Sequence, residues 1–207
     1  MNAATSRFSV AGPVGALEVV LDSAPGPAKG TVVLAHPHPL FGGTMDNKVV
    51  VTIARAFVQC GWNAVRFNFR GVGQSAGSYD EGRGEVEDLV AVVRACAAQG
   101  ELALAGFSFG AHVVSMALQR LGAERRLSQV VLVGTAVSRF PVATIGAGLR
   151  PLVVHGEMDD TVLLSDVLDW ARPQNLPVVV VPGASHFFHG QLGVLKALVV
   201  RHLNTAD

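Results

Sequence analysis

The chain has 207 residues, half of them hydrophobic and 15% charged, enough for one large core and too few for two comfortable domains, so a single domain over 1–207 is expected. Sixteen basic and sixteen acidic side chains balance to a formal charge of zero, and without a basic cluster the electrostatic footprint of a nucleic-acid binder is excluded and a small-molecule partner expected. The opening MNAATSRFSVAGPVG lacks a cationic head before an apolar block, and Gly, Pro or Arg breaks the other apolar runs, so neither export nor a membrane span is expected and the location read is cytoplasmic.

In chain order, Gly15 to Ser23 alternates weakly and predicts an antiparallel edge strand, closed by the turn residues Ala24-Pro25-Gly26-Pro27. Thr31 to Ala35 is a continuous β-branched and apolar run, the signature of a strand buried on both faces of a parallel sheet. The loop HPHPLFGGTMDN follows, and Thr44 is the expected cap of a helix with the stripe Val49, Val50, Ile53, Ala54 and Phe57. Loops at the carboxyl ends of parallel strands hold ligands in open α/β sheets. Proline carries no N–H, which removes residues 37 and 39 and leaves His38 or Leu40 as donors to a substrate oxygen. His36 and His38 lack the partners of a metal cluster, and structural hydrogen bonding is the better reading.

Asn63 to Phe69 alternates, with Val65, Phe67 and Phe69 on one face, and predicts a strand. Gly71, Gly73 and Gly77 then have the wrong spacing for a dinucleotide loop, no GK[ST] occurs, and the glycines read as turn geometry. From Gly84 to Ala98, Val86, Leu89, Val90, Val93 and Ala97 oppose Glu87, Asp88 and Arg94, which predicts an amphipathic helix with a solvated charged face. Cys60 and Cys96 form no C-x-x-C and are expected to pack as small hydrophobes on separate helices.

Leu102 to Leu118, LALAGFSFGAHVVSMAL, joins an apolar run to a Gly-x-Ser-x-Gly turn and a helix-period pattern. Such a turn forces its serine, here Ser108, into a strained conformation, while Gly106 and Gly110 let strand and helix approach closely. The helix behind Ser108 aims free N–H groups and a positive dipole end at any oxyanion forming there. Acyl transfer through serine also needs a base, a carboxylate to orient it and a second oxyanion donor. Gln129 to Thr135 predicts another strand, and Ala136 to Arg150 is too short a connection for a lid, so the site is expected to be open and shallow, with Phe140 to Leu149 near it.

Pro151 to His155 predicts the next strand, followed by GEMDDTV and a helix through about Ala171. Asp159 stands where an orienting carboxylate is needed, whereas Asp160 suits a solvated or capping role. Pro177 to Val181 predicts the last strand, then ASHFFHGQ and a helix with Leu192, Leu195 and Leu198 inward. His186 lies in that loop; His189 is expected in or at the start of the helix and His112 on the elbow helix. The order Ser, Asp, His at three strand ends selects His186 as the base.

These residues resemble the α/β-hydrolase superfamily over nearly the whole chain: GFSFG for the elbow, HGEMDDTV for the acid turn, GASHFFHG for the histidine loop. HPHPLFGGTMDN with FNFRGVGQSAG is similar to small, lidless bacterial hydrolases related to dienelactone hydrolases and carboxylesterases. The resemblance implies an α/β-hydrolase fold with a mostly parallel sheet, helices on both faces and no lid. It also implies a triad of Ser108, Asp159 and His186, with the Phe109 N–H as first oxyanion donor and His38 or Leu40 supplying the second. The chain departs from many relatives in having His36-Pro37 where they have His-Gly, and Asn68 where they have Asp. Serine at 108, neither cysteine nor aspartate, separates it from dienelactone hydrolase itself and from haloalkane dehalogenase or epoxide hydrolase chemistry. The expected activity is hydrolysis of small acyl esters without metal or organic cofactor. A thioesterase or short-peptide hydrolase with the same triad is the alternative, and a non-catalytic interaction module that keeps the fold is the reading from another class.

Overall fold

The computed structural model describes residues 4–124, 127–146 and 148–205. Its strands are β1 (Thr5–Gly12), β2 (Gly15–Asp22), β3 (Gly30–Ala35), β4 (Asn63–Phe67), β5 (Glu101–Phe107), β6 (Leu127–Val133), β7 (Leu152–Gly156) and β8 (Val178–Val181). Among the described residues they form one eight-stranded sheet in the order β1-β2-β4-β3-β5-β6-β7-β8. The pairs β1–β2 and β2–β4 are antiparallel, and every later neighbour is parallel. This is the α/β-hydrolase fold.

The inner parallel strands β3, β5 and β7 are buried on both sides, which explains their near-continuous apolar sequences. Along β5, Leu102 and Leu104 enter one core while Ala103, Ala105 and Phe107 enter the other. The first core is closed by α2 (Arg83–Cys96), α3 (Phe109–Glu124) and α4 (Leu164–Ala171), the second by α1 (Lys48–Gln59) and α5 (Leu192–Asn204). Helix α3 is buried almost all round through its first three turns, the place where the sheet and two helices meet.

Several expectations need correcting. The edge strand is β1, with β2 inside it; most β1 residues are exposed, so no one-sided apolar alternation marks the strand. Helix α1 is capped by Asn47, whose Oδ1 accepts the Val49 N–H at 2.9 Å, and Thr44 instead turns its hydroxyl to Asp46 N–H. Strand β4 stops at Phe67 because the Phe69 N–H is taken by His36 Nε2 at 3.1 Å. Asp160 is exposed but caps no helix, since α4 begins at Leu164. Helix α5 begins at Leu192, so His189 stays in the loop; of the three leucines expected inward, Leu195 is fully buried and Leu192 and Leu198 are half-buried.

Asp88 is not solvated at all. It lies in the core at 0% exposure and receives Arg70 through Nε at 3.0 Å and Nη2 at 2.7 Å, and the Arg70 N–H at 3.0 Å. The charges expected on one outer face of α2 are thus divided, because Glu85, Asp88, Leu89 and Val92 share one inward stripe.

Candidate active site

Strand β5 runs straight into α3 through Ser108, which takes φ 56°, a left-handed conformation costly for a side chain with a Cβ. The Ser108 N–H donates to Val133 O at 2.9 Å and its carbonyl receives Ala111 N–H at 3.0 Å, so the bend is held at both ends. Both flanking glycines are dictated by contact. A Cβ at Gly106 would come within 2.4 Å of Gly110 O, and one at Gly110 within 2.2 Å of Ala35 O. Only hydrogen at these positions lets β3, β5 and α3 converge.

Asp159 follows β7 and His186 follows β8, and both converge on Ser108. His186 Nε2 lies 3.0 Å from Ser108 Oγ, and His186 Nδ1 lies 2.6 Å from Asp159 Oδ2. Ser108, Asp159 and His186 are 8%, 4% and 3% exposed, so the three side chains are held within the structure. The described residues of 134–151 carry no helix or strand; Ala147 of the Phe140–Leu149 stretch lies outside the described residues. The His186 ring fits over Gly134, where a Cβ would meet its Cε1 at 3.2 Å, and packs against Phe107 with centroids 4.9 Å apart.

The second Asp159 oxygen, Oδ1, accepts the N–H groups of Thr161 at 3.0 Å and Val162 at 2.8 Å. Burial pushes the Asp159 carboxyl up, but the hydrogen bonds from His186 and Val162, with the fields of His186 and His155, outweigh it and hold the carboxyl below its usual range. The carboxylate is ionised wherever the imidazole would need it.

The loop after β3 crosses the start of α3. His36 is wholly buried: Nδ1–H donates to Pro37 O at 2.6 Å and Nε2 accepts Phe69 N–H, the structural role expected of it. Burial lowers its pKa to about 4, so the ring is neutral. His38 packs its ring against Phe109, Phe41 and Tyr79 at centroid distances of 5.0, 4.7 and 4.9 Å. Its Nδ1 accepts the Leu40 N–H at 3.2 Å. Leu40 therefore has its N–H engaged inside the loop, which favours His38 of the two candidate donors. His112 points away from Ser108, with Nδ1–H on Pro141 O at 2.8 Å and its ring stacked on Phe140 at 5.2 Å. A cavity of about 590 Å³ between α2 and α3 is lined by Arg70, Gly82, His112 and Met116, and by none of the three converging residues.

Asn68 has a physical reason to differ from aspartate. Its Oδ1 accepts Met45 N–H at 2.9 Å while its Nδ2 donates to Glu18 Oε2 at 2.8 Å. A carboxylate there would face Glu18 with no proton to share. Sequence reasoning missed Arg70 and Glu85 in this support. Glu85 is buried and accepts the N–H groups of Asp80 at 2.9 Å and Gly82 at 2.8 Å, and the visible signal was an acidic residue within the α2 apolar stripe. Among the described residues no group of histidine, cysteine and carboxylate side chains is placed to hold a metal, and no helix is long and apolar enough to cross a membrane.

Residues 26–154 match the family described as serine aminopeptidase, S33. A solved α/β serine hydrolase without lid from Xanthomonas campestris is 37% identical with a TM-score of 0.89, covering 97% of this chain and 94% of that one. An α/β serine hydrolase homologue from Coxiella burnetii is 43% identical with a TM-score of 0.85, covering 96% and 97%. Est1E from Butyrivibrio proteoclasticus, solved with ferulic acid bound, has a TM-score of 0.83 at 15% identity over 96% and 98% of the chains, a likeness of fold alone. With the elbow, the converging histidine and aspartate, and these relatives in agreement, the chain belongs to the α/β serine hydrolase superfamily, among its lidless members.

Proposed function

We propose that this protein is a serine hydrolase that cleaves small acyl esters through an acyl-enzyme on Ser108. The reading is supported above all by the unbroken chain from Ser108 Oγ to His186 Nε2 at 3.0 Å and from His186 Nδ1 to Asp159 at 2.6 Å. Because Asp159 accepts the proton on Nδ1, His186 keeps a lone pair on Nε2 and takes the serine proton as Oγ attacks the acyl carbon. The imidazolium so formed is stabilised by the Asp159 carboxylate and returns its proton to the leaving alcohol. Water, activated by His186 in the same way, then releases the acid.

The oxyanion of each tetrahedral intermediate receives the N–H of Phe109, at the start of α3, and the N–H of His38. One such donor contributes about 3 kcal/mol to transition-state stabilisation. No metal or organic cofactor enters this scheme, and the whole chain acts as one catalytic domain on a small acyl substrate. The exposed Leu40 and Phe41, 68% and 78% exposed, border the donor loop and suit an apolar acyl or alcohol group.

Hydrolysis of short nitrophenyl esters, compared with acyl thioesters and aminoacyl amides of matched length, tests the reading. The esters are expected to turn over fastest, with activity reduced at least 10³-fold in Ser108→Ala. Equal turnover by that variant, or cleavage of thioesters or amides alone, would overturn the ester assignment.

A further inference from the structure

His155, in β7, is wholly buried and has no part in the chemistry above. Its Nε2–H donates to Val162 O at 2.9 Å, and the same nitrogen lies 3.5 Å from Asp159 Oδ2. Its Nδ1 is buried with no hydrogen-bond partner. A leucine would fill this space and remove the unmet Nδ1, but it would leave the buried Val162 carbonyl without its donor, so what the histidine adds at this position is its hold on the 159–162 turn.

That turn is held from two sides. From within, Asp159 Oδ1 closes residues 159–162 by taking the Thr161 and Val162 N–H groups. From the sheet, the turn is tied by the Val162 carbonyl to His155. The tautomer follows from the geometry: a carbonyl can only accept, so the proton sits on Nε2, and its positive edge faces Asp159 Oδ2 as well. Asp159 and His186 are the ionisable groups whose fields reach this ring, and burial lowers its own pKa, which keeps it neutral. Oδ2 therefore has an imidazole on either side, with His186 at 2.6 Å as the close partner.

We propose that His155 is a positioning residue for the relay, tethering the Asp159–Val162 turn to β7 so that Asp159 presents Oδ2 to His186 Nδ1. The assignment rests on the hydrolase reading for its effect on turnover, but the tether itself can be read without turnover. His155→Leu removes the donor and keeps the bulk; His155→Gln places an amide N–H where Nε2 stood. The downfield proton resonance of His186 Nδ1–H reports the bond to Asp159, and steady-state kinetics on a nitrophenyl ester report the consequence.

In His155→Leu the resonance is expected to move upfield or vanish by exchange, with kcat at least tenfold lower, KM within twofold and a thermal midpoint only modestly lower than wild type, because the Val162 carbonyl loses its donor. His155→Gln is expected to recover the resonance and most of kcat. A Leu variant with unchanged resonance and kcat, or a Gln variant no better than Leu, would overturn the proposal. So would a Leu variant that melts well below the Gln variant while matching it in resonance and kcat, which would make the role one of fold support. A wild type that turns over no ester, while its resonance follows the order wild type, Gln, Leu, would leave the tether standing and overturn the hydrolase reading instead.

Discussion

Ser108 stores strain where the proposed chemistry needs exposure of its hydroxyl. Its φ of 56° lies in the left-handed region, shared among the described non-glycine residues with Glu81, Asn175 and Phe188. Holding an L-residue there costs about 1–2 kcal/mol, whereas glycine adopts it freely. Ser108→Gly should therefore be more stable than Ser108→Ala by about 1 kcal/mol after allowing for glycine's greater freedom in the unfolded chain. Denaturant midpoints of the two variants, both lacking the hydroxyl, check this; an Ala variant equal to or more stable than Gly would mean the elbow is unstrained.

At the scale of elements, the site depends on pieces that never touch a substrate. Arg70 and Asp88 form a paired charge in the core between the β4 exit and α2, with side-chain exposures of 8% and 0%. Removing one partner of such a buried pair typically costs about 3–5 kcal/mol, because the other charge is left without compensation. Asp88→Ala is expected to lose that much in urea unfolding, and a loss under 1 kcal/mol would show that water reaches Arg70 readily. This pair also marks a limit of sequence reasoning. The strands buried on both faces, the elbow and the three loop residues that converge were legible, because each follows from local pattern or from chain order at strand ends. The edge strand β1 was not, since its residues are exposed and leave no apolar period. Asp88 was misread because an acidic residue on a helix is solvated unless a distant chain segment supplies a cation, and Arg70 lies eighteen residues away in sequence. That the His38 side chain accepts the Leu40 N–H was likewise illegible in the sequence, because it depends on the fold of the loop.

For the molecule as a whole, histidines that burial favours in the neutral form are expected to limit stability in acid. His36 falls to about 4, and His112, His155 and His202 are also lowered, in each case chiefly by burial. Below the ordinary histidine value near 6.5 the unfolded chain binds protons that the folded chain refuses, so stability is full above that pH and declines as pH falls. His36 alone accounts for about 3 kcal/mol of loss by pH 4. Asp159, with its lowered value, adds a further loss only below the ordinary carboxylate range. Urea midpoints should drop steadily between pH 6.5 and 4, and a midpoint constant over that window would contradict the buried, neutral assignment of His36. The central claim, an activated Ser108, is tested most directly by the intact mass of the whole chain after treatment with a fluorophosphonate probe at neutral pH, for wild type and Ser108→Ala. The account predicts a single adduct on wild type and none on the variant; an unlabelled, well-folded wild type, or an adduct that persists in the variant, would contradict it.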